Sequence, residues 1–427
     1  MYFIEQVKSR AILDSRGNPT VETDIILKNI HARAAVPSGA SIGTYEALEL
    51  RDGENAFHGM GVDKAVQNVN EILGPKLIGK DVRNQEELDS LMCTLDGTHR
   101  KLRLGANAIL SCSLAIARAA AAAMKIPLYQ YIGRLTKNKS NLLPVPAMNV
   151  INGGRHADNN LDFQEHKIFP IGAKSFKESI QMGVEIYFEL KKLLKDRYGP
   201  ASINIGDEGG FASPLNDPSE PLDLIVDAID ICGYSKKIKI GLDCAASEFF
   251  DNDKLKYVLN GNRYSTDELV DFYVELVSKY PIVSIEDPFN EDDWNGFKDI
   301  TEKMGNKVQI VGDDLFVTNM QRLQKGIETK ACNCLLLKVN QIGSLTEAFN
   351  ASKLAFDNGY GVMVSHRSGE TEDTFISDLV VGIHAGQIKS GAPARSDRTS
   401  KYNQLLRIEE ELGKNAKFAG KDFMHPK

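Results

Sequence analysis

The sequence predicts an α/β protein: an N-terminal α+β unit, then a longer unit in which strands and helices alternate. Three observations point there. Residues 20–27 are β-rich and are followed by helical patterns over 62–73 and 106–125. After residue 146, short apolar runs alternate with amphipathic segments, the signature of βα units around a mostly parallel sheet. Five of those runs end on a polar or charged residue, at intervals that one βα unit occupies.

With 427 residues, the chain accommodates two domains or one barrel with an addition. An apolar fraction of 42% beside 26% charged residues suits a chain able to bury a sizeable core. The Ala-rich run 106–124 carries Asn107, Ser111, Ser113 and Arg118. It is too short and polar to span a bilayer, so it reads as a buried helix. Residues 133–146, polar with two prolines, mark the junction and set domains at 1–135 and 136–427.

In the second unit, Phe176, Ile180, Val184, Tyr187, Leu190 and Leu194 recur at helical steps with charged residues between them. The strand candidates read IKIGLDCAAS, PIVSIEDPF, VQIVGDDLFV, NCLLLKVNQ and YGVMVSHRSG. They end on Asp243, Glu286, Asp313, Lys338 and His366. In a barrel of such units these ends converge on one face, so three carboxylates, a lysine and a histidine line one pocket.

The balance of 51 Lys and Arg against 58 Asp and Glu, a net charge of -7, leaves no basic footprint for nucleic acid or an anionic membrane. An anionic substrate therefore needs local cations. Cys93, Cys112, Cys232, Cys244, Cys332 and Cys334 include no CxxC pair, and the Cys332/Cys334 spacing reads as buried thiols on one face of a strand. A reducing, cytoplasmic location follows, consistent with residues 1–10 lacking the apolar core of a signal peptide.

Asp243, Glu286 and Asp313 are hard oxygen donors from three separate strands, which suits Mg²⁺ over Zn²⁺. Lys338 ends a very apolar run; desolvation and nearby cations there lower its pKa towards that of a working base. In the string NIGDEGGF, glycines flank Asp207 and Glu208. Either the adjacent acids raise each other's pKa and supply a general acid, or the string is a plain Asx-type turn. The loop Ser38-Gly39-Ala40-Ser41-Ile42-Gly43 is a loop of small residues able to bring a serine oxygen to a metal or phosphate. His366, Arg367, Ser368 and Lys389 suit a phosphate and a carboxylate.

At this point the chain resembles the enolase family along essentially its whole length. The strings that carry the resemblance are ILDSRGNPTVE, SGASIG, NGGRHADNN, GDEGG, LDCAASEF, SIEDPF, GDDLFVTN, LLLKVNQIGS, VSHRSGETEDTFI, GQIKSGAPARS and NQLLRIEEELG. The resemblance implies an N-terminal α+β capping domain on an atypical (β/α)₈ TIM-like barrel with one antiparallel strand near its start. It implies a carbon–oxygen lyase that reversibly dehydrates 2-phosphoglycerate to phosphoenolpyruvate in glycolysis and gluconeogenesis, with two Mg²⁺ per site, the second bound with substrate. On this pattern Asp243, Glu286 and Asp313 are ligands of the first ion and Ser41 of the second. Lys338 resembles the base and Glu208 the acid. Glu165, Gln164 and His156 lie around the leaving hydroxyl and phosphate. Arg367 and Ser368 bind phosphate, His366 lies beside them, and Lys389 holds the carboxylate. A lysine base with Mg²⁺-stabilised ene-diolate is the known pattern of the wider superfamily.

Three positions depart from the family pattern. His166 and Lys167 follow Gln164-Glu165 where Phe-Met is usual, Ile42 replaces Thr, and Ala212-Ser213-Pro214 stands where Ala-Pro is commoner. The rival reading, a superfamily member acting on another carboxylate, lacks the paired lysines that those subgroups carry on one strand. The resemblance further implies a homodimer or higher oligomer, with Glu22 of one protomer against Arg407 of its partner. Family members also capture plasminogen through C-terminal lysines or join RNA-processing assemblies; Lys427 is the single residue here that bears on the first.

Overall fold

The computed structural model describes residues 2–39, 43–53, 55–157 and 159–426. It opens with an antiparallel sheet, β1 (Gln6–Leu13), β2 (Pro19–Leu27) and β3 (Ile30–Ala35), with β2 in the middle. The first hairpin closes because the Asp14 carboxylate accepts the backbone N–H of Arg16 and of Asn18, each at 2.9 Å. Gly17 between them takes a φ of +81°. Helix α1 (Ala106–Met124) packs its small residues on β2 and β3. It is long and apolar enough to cross a membrane, yet 83% of its apolar window is buried inside the protein. Its Ser111 hydroxyl meets that of Thr23 on β2 at 2.7 Å, so the polar groups at this contact satisfy each other.

The helix expected over 62–73 is broken into an α turn Asp63–Gln67, a wider π stretch Asn68–Leu73 and a short helix Gly74–Leu77. The widening has a visible use. Asn70 accepts the Ser9 N–H at 2.8 Å and donates to the Ser9 carbonyl at 3.2 Å, satisfying the free edge of β1.

Eight strands then close a barrel: β4 (Val145–Asn152), β5 (Glu165–Phe169), β6 (Lys239–Asp243), β7 (Ile282–Glu286), β8 (Gln309–Gly312), β9 (Cys334–Leu337), β10 (Gly361–Ser365) and β11 (Gln387–Lys389). Neighbours are parallel except β5, which runs antiparallel to both β4 and β6. Seven strands therefore deliver their C-terminal ends to one mouth, and the reversed β5 delivers its first residue there. Register aligns them: Glu165 lies opposite Asp243, and Asp243 opposite Glu286. Paired residues share a face, so the three carboxylates point together. Two residues deeper on β5, Lys167 lies opposite Gly241.

Outside the barrel, α2 (Phe176–Tyr198) starts where Ser175 Oγ accepts the Glu178 N–H at 3.0 Å. Its buried stripe runs through Phe176, Met182, Ile186, Leu190 and Leu194, with Ile180 and Val184 only half-buried. All six cysteines are free thiols, four of them buried. Cys332 and Cys334 do not share a strand face. β9 begins at Cys334, and Cys332 precedes it with a φ of +67°, which turns it outward into the helix–strand core. The N-terminal unit is fastened to the barrel by ion pairs: Arg118 with Asp373 at 2.7 and 2.8 Å, Lys101 with Glu347 at 2.6 Å, and Arg367 with Glu46 at 2.9 and 3.1 Å.

Candidate active site

Register alone assembles the first part of the site, because Glu165, Asp243 and Glu286 stand side by side at the barrel mouth. Lys389, ending β11, reaches all three, with Nζ 3.1 Å from Glu165, 2.9 Å from Asp243 and 2.6 Å from Glu286. Lys167 pairs with Glu286 from the deeper layer and lies 4.0 Å from Glu165. Asp313, one residue beyond β8, pairs with Lys338, one residue beyond β9. His366, one residue beyond β10, has Nε2 3.1 Å from Glu208. His156 Nδ1 lies 3.5 Å from Glu165 and 3.6 Å from Glu208. Gln164, Arg367 and Ser368 line the same cleft.

Glu208 is delivered by the NIGDEGGF loop, where Gly209 has a φ of +85° and a Cβ at Gly210 would sit 2.3 Å from Asn152 Oδ1. Asn149 of β4 donates to Glu208 Oε2 at 3.1 Å. Ser41 lies outside the described residues. The loop's flanks are anchored: Ser38 and Gly369 exchange backbone hydrogen bonds at 2.7 and 2.8 Å, and the Gly43 N–H donates to Glu46 at 3.1 Å.

Burial and crowding set the electrostatics. The Glu165 carboxyl is pushed well up, first by burial and then by the Glu208 carboxylate. Glu165 is thus the acid of the two that resists ionisation; burial also opposes ionisation of Glu208, but His366, His156 and Lys389 prevail and hold it below the usual carboxylate range. The sequence reading looked to Asp207 as the neighbour that raises Glu208; the acid across the mouth is the one raised instead. Burial drives the imidazoles of His156 and His366 down, to about 4 and about 3, so both are neutral. Asp243 is pushed up to about 6 by burial and then by Glu286. Burial also opposes ionisation of Glu286, but Lys167 and Lys389 prevail and hold it below the usual carboxylate range.

Lys338 reverses the expectation. Burial lowers its pKa, but the Asp313 carboxylate more than offsets this, so the amine is raised and stands as an ammonium. An apolar approach run revealed its burial but not its counter-ion.

Among the described residues, two groups bring three donor atoms within 4.8 Å of one another: His156, Glu165 and Glu208, and Asp287, Asp313 and Asp314. Asp243, Glu286 and Asp313 are not among these groups; Lys389 pairs with Asp243 and Glu286, Lys167 with Glu286, and Lys338 with Asp313. Asp287 and Asp314 are both pushed well up, by burial and then by neighbouring carboxylates. A mouth made of carboxylate oxygens, with Asp243, Asp287 and Asp314 forced towards protonation by their neighbours and by burial, fits a hard divalent cation.

Sequence reasoning missed several members. Asp287 accepts the backbone N–H of Asp313 at 2.9 Å and of Asp314 at 2.7 Å, bracketing the turn after β8. The doubled acids in SIEDPF and GDDLF were the available signal. Arg398 donates to His366 Nδ1 at 2.5 Å, to the Arg367 carbonyl at 2.6 Å and to the Ser368 carbonyl at 2.5 Å, holding the His-Arg-Ser turn. Nothing in its helix, which reads as a polar surface helix, marks it out. A wider groove beside β2 and the last helix, lined by Glu22, Arg33, Arg118 and Glu411, gathers no comparable set of reactive groups.

A closed barrel with acids, lysines and neutral histidines converging at one mouth is the arrangement of a barrel enzyme whose carboxylates suit a metal ion. Comparison with known proteins narrows the class. Residues 4–132 match the family model "Enolase, N-terminal domain", and residues 140–427 match "Enolase, C-terminal TIM barrel domain". The chain is 59% identical to the enolase of Thermococcus gammatolerans over 425 residues, 99% of this chain and 98% of that protein. It is 59% identical to that of Pyrococcus furiosus over 424 residues, 99% and 98% of the two chains. It is 55% identical to that of Solanum lycopersicum over 441 residues, 100% and 99%. The chain belongs to the enolase family, whose members are metal-dependent. Its activity is that of phosphopyruvate hydratase, a hydro-lyase of glycolysis.

Proposed function

We propose that the mouth formed by β5, β6 and β7 is where 2-phosphoglycerate loses water, with Mg²⁺ as the metal. The observation that carries this is the alignment of Glu165, Asp243 and Glu286 under Lys389, with Lys338 and Glu208 lining the same cleft. Asp243, Glu286 and Asp313 would hold one ion and Ser41 would contribute to a second. When bound, the metal supplies charge stabilisation for the substrate carboxylate as it becomes a dianion.

The residues divide the rest of the work. Arg367 and Ser368 bind the phosphate, and Lys389 orients the carboxylate. Lys338 takes the C2 proton, leaving its electron pair delocalised onto the carboxylate. Burial, Arg367 and Lys389 favour the free amine that this step needs and Asp313 opposes it, so an ion held by Asp313 would shift Lys338 towards a base. Glu208, supplied with a proton from the Glu165 side, then protonates the C3 hydroxyl; the C3–O bond breaks, water leaves and the C2=C3 bond forms. Glu165 shares the proton with Glu208, and Gln164 and neutral His156 border the leaving hydroxyl. His366 orients Glu208 from 3.1 Å.

In this reading the domains are 1–135 and 136–427, a division supported by the separate family matches. The protein works in the cytoplasm as a homodimer. Glu22, which already pairs with Arg10 at 2.5 Å and Arg33 at 3.3 Å, meets Arg407 of the partner subunit. The test is absorbance of phosphoenolpyruvate forming from 2-phosphoglycerate. Activity should vanish with EDTA and return with Mg²⁺; full activity in metal-free protein would refute the site.

A further inference from the structure

Lys167 is a cation at the mouth for which the dehydration assigns no task. Its side chain is fully buried. It reaches the carboxylates from inside the barrel, opposite Gly241, whose missing side chain leaves room for the Phe169 ring two residues along β5. Its ammonium is bonded to one oxygen of Glu286, while Lys389 holds the other oxygen at 2.6 Å. Glu165 lies 4.0 Å away. Three carboxylates, Glu165, Asp243 and Glu286, are therefore served by two ammonium groups. One of these is at a position where the family pattern has an uncharged methionine.

We propose that Lys167 is a resident cation beneath the metal site, holding Glu286 in place before a divalent ion arrives and lowering the affinity of the site for that ion. The proposal rests on the assignment of Glu286 as a metal ligand. Its physical basis is direct. A buried carboxylate needs a counter-charge, and Lys167 supplies it permanently where a neutral side chain would leave that demand to the metal. The same fixed charge repels an incoming dication across a few ångströms in a medium of low dielectric constant, worth about tenfold or more in affinity after screening.

The test is binding of Mg²⁺ alone, without substrate, by calorimetry, together with melting temperature in EDTA and in saturating Mg²⁺. K167M should bind Mg²⁺ at least about tenfold more tightly than wild type. It should melt lower in EDTA and gain more on adding Mg²⁺. K167Q, which keeps length and a hydrogen bond but not the charge, should move in the same direction. E286Q, measured in parallel, should lose the tight site. If E286Q loses binding while both Lys167 variants bind as wild type or more weakly, the role of Lys167 is overturned and the site stands. Should E286Q bind as wild type, the site assignment falls and the proposal with it. Failure of both neutral variants to fold in saturating Mg²⁺ would also overturn it, because the bound dication should replace the missing charge.

Discussion

Replacing Glu46 by Gln probes how the N-terminal unit is held on the barrel. Glu46 forms a bidentate pair with Arg367, at 2.9 and 3.1 Å, and both side chains are almost fully buried. It also accepts the Gly43 N–H at 3.1 Å and a Gln341 N–H at 3.4 Å. The guanidinium cannot discharge itself by losing a proton, so E46Q takes from a buried positive charge the carboxylate it is bonded to, while the Asn340 carbonyl oxygen at 3.0 Å stays. Breaking one side of such a pair costs about 3–5 kcal/mol. Unfolding entropy of ~2.1 cal/mol/K per residue, over 427 residues, gives ~0.9 kcal/mol/K. The melting midpoint should therefore fall by about 3–6 °C, measured by calorimetry with circular dichroism as a second probe. A midpoint within about 1 °C of wild type would refute the reasoning, for it would mean that Arg367 needs no counter-charge.

Arg407→Glu should weaken the dimer by roughly 3–5 kcal/mol if it unpairs a partly buried charge, read by sedimentation; a strictly monomeric wild type would sink the interface assignment. Asp378 is pushed up to about 6 by burial, with Arg118 opposing. Between its unfolded value of 3.8 and about 6, the folded protein binds a proton that the unfolded chain has lost, so its contribution to stability falls as pH rises through that window and is level above it. Asp378→Asn should remove that fall, gaining roughly 2–3 kcal/mol above pH ~6; urea midpoints of variant and wild type that keep a constant difference from pH ~4.5 to ~7 would contradict this.

The barrel and most of its mouth were legible because each strand is an apolar run stopped by a functional residue. Asp243, Glu286, Asp313, Lys338 and His366 all fall at or one residue beyond a strand end. What stayed hidden depends on contacts between distant segments. Lys167 and Glu286 are 119 residues apart, and only the reversed β5 and its register bring them together. The charge state of Lys338 follows from Asp313 across the β8–β9 gap, which outweighs the burial that the sequence did reveal. The interruption at Asn68–Leu73 likewise answers to the edge of β1, whose position no local pattern in the helix encodes.

The division of labour between Lys338 and Glu208 is tested most directly by exchange of the C2 hydrogen of 2-phosphoglycerate with deuterated water. Lys338→Ala should abolish both exchange and product formation, because no group remains to take the proton. Glu208→Gln should lose most turnover, on the order of 10²–10⁴-fold, since an amide cannot deliver the proton that the hydroxyl needs. It should still exchange C2, because the carbanion forms and is reprotonated by the Lys338 ammonium. Exchange lost in Glu208→Gln and kept in Lys338→Ala, in variants that fold and bind Mg²⁺ as wild type, would contradict the account and reverse the two roles.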